Sequence, residues 1–178
     1  MISCDRESIE YVLSRPEKGN AVALVVGGSR EVYEAHPTKH RLVLATRKGF
    51  VRLAIKHGAS LVPIYLFGET NTCDYSVIQR IKKFENLFFP TGQGLLASLL
   101  PKEWFEKLPG WFRVGLLPHR RRIVTVVGVP IEIEQNPEPS EEYVSQVHAE
   151  YCSKLLELFN THKTTVGGLE DDVELEFI

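Results

Sequence analysis

The sequence is poor in several features that define large classes of proteins. Its three cysteines, Cys4, Cys73 and Cys152, are widely spaced and form no C-x-x-C pair, which argues against a disulfide framework or a zinc site. Lys and Arg together number 21 against 23 Asp and Glu, for a net charge of -2, so no overall basic field favours nucleic acid. We therefore expect reduced thiols, no metal and no nucleic-acid partner.

Long hydrophobic runs and phosphate-binding loops are also missing. The longest apolar runs, such as SLVPIYLF at residues 60–67, are much shorter than the roughly 18 to 20 residues of a membrane-spanning helix. The first residues lack the basic and apolar regions of a signal peptide. The sequence contains no G-x-G-x-x-G, no Walker lysine and no G-x-S-x-G, which disfavours a nucleotide-binding module and a serine hydrolase.

Hydrophobic periodicity predicts alternating strands and helices. AVALVV, at residues 21–26, is continuous and rich in valine, as in a strand covered on both faces. Residues 48–57 carry apolar side chains at helical spacing, and Gly58 follows as a left-handed C-cap. SLVPIYLF predicts another buried strand, in which Pro63 indicates a bulge, a bend or an edge. Strand, helix and strand in this order predict a βαβ unit and hence an α/β fold, with a mostly parallel sheet flanked by helices.

Further elements are predicted on both sides of this unit. They are a helix over residues 6–14 capped by Ser3 or Asp5, a weaker strand over 40–45, a helix over 76–89, strands within 120–134, a long helix from Ser140 to about Lys163, and a short strand in the acidic tail. Residues 84–118 hold both tryptophans, Trp104 and Trp111, and match no steady period. That stretch suits a membrane interface or an acyl-chain groove, and it equally suits a protein core.

Polar residues follow the two strands predicted to be buried, where open α/β sheets place their sites. Gly27 and Gly28 allow a backbone to approach a ligand, with Arg30 or Glu31 beside it. A plain tight turn explains the glycine pair equally well. Glu69 follows the second strand, where it either orients a partner or accepts a proton, or caps a turn.

Basic residues form two local clusters. Arg47 and Lys48 at a helix start oppose the helix dipole, so a bound phosphate or carboxylate would relieve the conflict. Two solvated cations are the alternative interpretation. Arg120, Arg121 and Arg122 are suited to lipid headgroups or to the phosphates of an acyl carrier, or they form a charged loop.

No histidine in the sequence has an acid at a spacing typical of acyl transfer. The six are His36, His40, His57, His119, His148 and His162, and none begins H-x-x-x-x-D. We therefore expect no catalytic base within this chain.

Four blocks of sequence occur in a fixed order. They are ESIEYVLSRPEKGNAVALVVGGSREVYEA, RKGFVRLAIKHGASLVPIYLFGE, RRRIVTVVGVPIEIE with PEPS, and VHAEYCSKLLELFNTHK. Together they resemble the C-terminal part of the type 2 diacylglycerol acyltransferase family, which includes monoacylglycerol and wax-alcohol acyltransferases. Because the likeness covers nearly the whole chain, it implies a single partial acyltransferase domain over residues 1–178, with the glycerolipid acyltransferase fold.

The resemblance implies an enzyme of the endoplasmic-reticulum membrane, on its cytosolic face. Such enzymes move a fatty acyl group from acyl-CoA, as co-substrate, to the hydroxyl of a mono- or diacylglycerol or a fatty alcohol. They use no metal or cofactor, contact membrane lipid, and allow homo-oligomers. In this family an HPHG histidine is thought to act as general base. His36-Pro37 is followed by Thr38-Lys39 and is not that motif, so the chain alone is expected to be inactive.

Site residues carry over from three family motifs. Gly27, Gly28 and Glu31 match Gly-Gly-x-x-Glu, Arg47, Gly49 and Phe50 match Arg-x-Gly-Phe, and Pro63, Gly68 and Glu69 match the Val-Pro and Phe-Gly-Glu elements. The resemblance implies that Glu31 and Arg47 support the acyl-CoA or catalytic pocket and that Glu69 orients a neighbour. Val129 and His119 depart from the lysine and tyrosine common in the family, which concerns substrate choice. The alternative function is a catalytically silent module that binds membrane or a partner through residues 84–122.

Overall fold

A computed structural model describes residues 5–17, 19–34, 36, 38–72 and 119–178. The elements are α1 (Arg6–Leu13), α2 (Gly28–Glu34), β1 (His40–Leu42), α3 (Gly49–His57), β2 (Ile64–Phe67), a 3-10 turn (Glu69–Asn71), β3 (Val124–Val127), α4 (Glu141–His162) and β4 (Leu175–Phe177). This mixture of helices and small sheets confirms the α/β class. The helix predicted over 76–89, and both tryptophans, lie outside the described residues.

The helix ends follow from local capping chemistry. The Asp5 carboxylate accepts a hydrogen bond from the Ser8 amide at 2.8 Å and begins α1. The Ser140 hydroxyl accepts from the Tyr143 amide at 3.2 Å and begins α4. Gly58 ends α3 in the left-handed conformation, at φ 63°. Each of these caps was predicted from the sequence, because a short polar side chain or a glycine at a helix end acts on its immediate neighbours.

The strands in the described part of the chain form two small sheets. β1 pairs in parallel with β4, with His40 opposite Leu175. β2 pairs antiparallel with β3, with Ile64 opposite Val127. The strands on either side of α3 therefore belong to different sheets, and the acidic tail provides the partner of β1.

Pro63 lies immediately before β2 and is fully buried. Its carbonyl oxygen accepts a hydrogen bond from the Gly128 amide at 2.8 Å. Ile64 is opposite Val127, whereas Leu61 is opposite Ile131, so the second segment holds one extra residue over this span. That is a β-bulge, one of the irregularities that the missing amide of Pro63 predicts.

The strand predicted over residues 21–26 is not formed. The segment has no strand assignment, and Val25 is 82% exposed. A strand persists only where a neighbour satisfies its backbone groups, and β1, the next strand along the chain, is paired with β4 instead. The segment is apolar, but the covering layer that a buried strand requires is not present among the described residues.

Helix α4 connects two apolar clusters formed by described residues. On one side Leu155, Leu158 and Phe159 pack with Tyr65 and Phe67 of β2. On the other side Val144 and Val147 pack with the buried face of α3, through Val51 and Ile55. The long amphipathic helix thereby fixes α3 and β2 relative to each other, and β2 leads directly to the candidate site.

Candidate functional site

The side chain of Glu31 projects from α2 towards Val43, the residue that follows β1. Its Oε2 accepts a hydrogen bond from the Val43 amide at 3.1 Å. A Cβ atom on Gly27 would overlap the Glu31 side chain, so the glycine leaves the space that the carboxyl group occupies. Gly28 begins α2 at φ +62°, a conformation that favours glycine. The family motif Gly-Gly-x-x-Glu thus has a steric explanation.

The ionisation of Glu31 is perturbed by its surroundings. Burial raises the pKa of this carboxyl above its ordinary value, and the negative charge of Glu69 raises it further, while the Val43 hydrogen bond acts in the opposite direction. Desolvation and a like charge both favour the protonated form. The carboxyl groups of Glu31 and Glu69 are therefore close enough to influence each other, although they are far apart in sequence.

Glu69 follows β2 through a tight turn at Gly68. Gly68 adopts φ +88°, and a Cβ atom there would overlap the Arg122 carbonyl oxygen. Only glycine meets both requirements, which explains the Phe-Gly-Glu element. Glu69 then begins the 3-10 turn with an exposed side chain.

Two further polar residues complete this arrangement, and the sequence did not single them out. The Tyr65 hydroxyl lies 2.9 Å from Nδ1 of His40. Burial raises the pKa of Tyr65 well above its ordinary value, and the charges of Glu31 and Glu69 add to this effect. Tyr65 thus contacts His40 and is under the electrostatic influence of both acids. We call Glu31, His40, Tyr65 and Glu69 the Glu31 cluster.

His40 is only 7% exposed. Its ring lies 5.5 Å from that of Phe159, and burial lowers the pKa of its imidazole. The Nε2 atom is buried and has no hydrogen-bond partner among the described residues. A neutral histidine hydrogen-bonded to a protonated tyrosine follows from these surroundings.

Within the Glu31 cluster, the pKa shifts of Glu31, His40 and Tyr65 all favour the neutral forms of these groups. A protonated phenol and a neutral imidazole donate or accept hydrogen bonds without charge, and the raised pKa of the Glu31 carboxyl favours its protonated form. Such perturbed groups occur at functional sites, and also in structural networks. Their chemistry suits a hydroxyl or carbonyl ligand.

The residues of the Arg-x-Gly-Phe motif lie around the start of α3. Arg47 is exposed, and its amide donates to the Leu44 carbonyl at 3.0 Å. Gly49 is the exposed first residue of α3. The Phe50 ring packs edge-on against Tyr151, with centroids 5.1 Å apart. The motif therefore joins α3 to α4 through Phe50 and leaves the Arg47 guanidinium in solvent.

Lys48 is held by a neighbouring helix. Its ammonium donates to the Ser145 hydroxyl of α4 at 3.0 Å, which favours an interhelical contact over an anion site. Arg120, Arg121 and Arg122 are exposed and precede β3. Trp104 and Trp111 lie outside the described residues, so their predicted membrane contact stays a prediction.

A shallow cleft lies at the C-terminal end of α3. It is lined by Glu134, Gln135, Asn136 and Tyr143, none of which was predicted as a site residue. Across residues 5–72 and 119–178, apart from the three undescribed positions in that range, no group of three metal-ligating side chains is found. The same residues contain no helix long and apolar enough to cross a membrane.

Comparison with known proteins decides the family. The family model described as diacylglycerol acyltransferase matches residues 1–178. This chain belongs to the diacylglycerol acyltransferase family. It is 40% identical over 170 residues to human 2-acylglycerol O-acyltransferase 3, and 37% identical over 180 residues to human diacylglycerol O-acyltransferase 2.

This diacylglycerol acyltransferase family chain spans about half the length of the curated relatives that it matches. The aligned part is 91% of this chain but 47% of human 2-acylglycerol O-acyltransferase 3. For mouse 2-acylglycerol O-acyltransferase 1, 34% identical, the shares are 93% and 49%. No solved structure matches the chain.

Proposed function

We propose that this chain contributes to the transfer of a fatty acyl group from acyl-CoA to the hydroxyl of a mono- or diacylglycerol, in neutral lipid synthesis at the cytosolic face of the endoplasmic-reticulum membrane. Fatty alcohols are an alternative acceptor. The relatives are named for acyl transfer to acylglycerols. The observation that carries the proposal is that Glu31 and Glu69, from two separate family motifs, both influence the ionisation of Tyr65, and that Glu69 also raises the pKa of Glu31.

The chemistry of acyl transfer assigns tasks to these groups. The acceptor hydroxyl must lose a proton, and the thioester carbonyl must gain negative charge as the thiolate departs. Glu31 supports the acceptor hydroxyl by hydrogen bonding, and Glu69 tunes the ionisation of Glu31. The Tyr65 hydroxyl, held protonated by burial, is hydrogen-bonded to His40 and fixes that side of the cluster.

The general base is proposed to lie outside this chain. Several described histidines already make hydrogen bonds within the fold: His36 to the Thr38 amide at 3.2 Å, His40 to Tyr65, His148 to the Leu44 carbonyl at 3.0 Å, and His162 to the Leu158 carbonyl at 2.9 Å. The HPHG motif is not in the sequence. The purified chain is therefore expected to give no product from labelled acyl-CoA with monoacylglycerol, diacylglycerol or fatty alcohol.

A chimera provides the positive test. This chain replaces the matched 170 residues of human 2-acylglycerol O-acyltransferase 3, and labelled acylglycerol formation is measured in microsomes against the intact human enzyme. We expect activity within about tenfold of the intact enzyme. A well-folded, membrane-inserted chimera without turnover, or robust turnover by the isolated chain, would contradict the proposal.

A second function is favoured by one observation. Arg120, Arg121 and Arg122 are exposed beside Ile123, which is also exposed, and a basic run next to apolar side chains is typical of surfaces that bind anionic lipid. In this case the chain floats with anionic vesicles but not with neutral ones. If the chain floats with neither anionic nor neutral vesicles, this second function is wrong.

A further inference from the structure

The outward face of the β2–β3 ribbon is apolar and uncovered among the described residues. Tyr65 and Phe67 point inwards onto α4. On the other face Ile64, Leu66 and Val127 are 42%, 40% and 62% exposed. Val62 and Val129 continue this exposed series along the ribbon. We call Val62, Ile64, Leu66, Val127 and Val129 the outer face.

This surface is unusual for a sheet bordered by solvent. An antiparallel sheet with one wet face normally alternates apolar and polar side chains. On the exposed face of this ribbon, Thr125, which is opposite Leu66, is polar, whereas the residues of the outer face are apolar. Strands that are apolar on both sides are typical of sheets covered on both faces, so the sequence of β2 is that of an inner strand.

A second segment gives the same indication independently. The sequence of residues 21–26 predicts a strand covered on both faces. In the structure, however, Leu24 is 39% exposed and Val25 is 82% exposed. Exposed apolar patches of this kind mark interaction surfaces. Within the described parts of residues 19–72 and 119–178, two segments separate in sequence therefore lack the layer that their composition requires.

The comparisons give the size of a suitable partner. Matched relatives such as human 2-acylglycerol O-acyltransferase 3 are about twice as long as the stretch that this chain covers. They therefore contain a comparable length of polypeptide outside the matched region. An added polypeptide of that size is large enough to cover a two-stranded ribbon and to lie beside residues 21–26.

We propose that the outer face and residues 21–26 form the docking surface for the part of the family fold that these relatives carry outside the matched region. The occupant presents aliphatic side chains to the outer face and backbone hydrogen-bonding groups to residues 21–26. The surface is the same whether the occupant is joined to this chain or separate from it. The inference concerns assembly and does not depend on which acyl acceptor is used.

The test is co-expression of this full chain with the part of human 2-acylglycerol O-acyltransferase 3 that lies outside the matched region, in detergent. The positive control pairs that same part with the matched region of the human enzyme. We expect a stable complex in both cases. Amide hydrogen exchange at residues 21–26, 62–66 and 125–129 should slow by about tenfold or more on complex formation.

Charge substitutions identify the surface. Val129→Glu and Ile64→Glu place a carboxylate on the outer face and should lower complex yield about tenfold. Ser153→Glu, on the exposed side of α4, is the matched control and should change nothing. Because Val129 is 80% exposed, its substitution leaves the free chain folded, which circular dichroism checks.

Each other outcome overturns the proposal. If the human control pair assembles but this chain does not, the surface has another use. Strong protection of the outer face in the free chain would show that the chain covers it by itself or in a second copy, which sedimentation distinguishes. Protection caused by anionic vesicles alone would identify the occupant as lipid. A complex insensitive to both glutamates would place docking elsewhere.

Discussion

Glu31 and His40 have opposite charges when ionised, but the fold disfavours the charged form of both. Burial raises the pKa of Glu31 and lowers the pKa of His40. Each shift destabilises the folded protein at the pH values where the group is ionised in the unfolded chain, because the unfolded chain ionises these groups more readily. Retention of such groups in a half-buried cluster is expected where function needs their proton chemistry.

Substitution of Glu31 separates its hydrogen bond from its charge. A folded-state pKa above the ordinary value of 4.5 means that the stabilising contribution is complete below about pH 4.5 and is lost as the pH rises through the folded-state pKa. Glu31→Gln keeps an acceptor for the Val43 amide without ionising, so we expect it to be more stable than the parent near neutral pH. The difference should vanish below about pH 4.5, as urea denaturation would show.

Glu31→Ala is the matched control for that experiment. It leaves the Val43 amide without its acceptor, which costs about 1 to 3 kcal/mol when the donor is buried. We therefore expect it to be less stable than Glu31→Gln at every pH. Equal stability of the two variants would show that the Glu31 to Val43 hydrogen bond has no energetic weight.

His40 predicts the opposite pH trend. Its folded-state pKa lies below the ordinary value of 6.5, so stability present above about pH 6.5 is lost as the pH falls from there towards the folded-state pKa. His40→Phe removes this loss and also removes the contact with Tyr65, at a cost of about 1 kcal/mol. The variant should be less stable than the parent near pH 7.5, with the gap closing on acidification. Glu31 titrates in both proteins, so its contribution cancels when they are compared. If the free energies of unfolding of the parent and of His40→Phe change in parallel with pH, the lowered pKa does not belong to His40.

Elements whose boundaries depend on neighbouring residues were predicted well. The ends of α1, α3 and α4 follow from a capping side chain or a left-handed glycine. Strand pairing depends on residues far away in sequence, and there the prediction was less complete. β1 pairs with the C-terminal β4 instead of lying beside β2, and no local signal in residues 40–42 distinguishes these partners.

The N-cap of α4 offers a test at this scale. Ser140→Ala removes the acceptor for the Tyr143 amide and should lower the free energy of unfolding by about 1 kcal/mol. Ser140→Asp keeps an acceptor and suits the helix dipole, so it should be nearly neutral. Because α4 packs against both α3 and β2, thermal unfolding should report the loss as a single shifted transition. An unchanged midpoint for Ser140→Ala would show that this cap does not limit stability.

For the whole molecule, the sequence motifs located two acids of the candidate site but not the residues between them. Glu31 and Glu69 were recognisable because each follows a glycine turn in a family motif. Tyr65 and His40 were not, because their contact joins residues 25 positions apart and no spacing rule connects them. The predicted strand over residues 21–26 is wrong for a related reason. An apolar segment forms a buried strand only when distant residues cover it, and its own composition does not show whether they do. The predicted organisation as one partial domain is compatible with both facts and stays a prediction.

The most direct measurement of the central claim, that the ionisable carboxyl of Glu31 serves acyl transfer, is the activity of Glu31→Gln in the chimera with human 2-acylglycerol O-acyltransferase 3. Acylglycerol formation from labelled acyl-CoA should fall about tenfold or more, although the substituted protein is at least as stable as its parent. Unchanged turnover at equal protein level would contradict the account, because the buried acid would then have no part in the reaction.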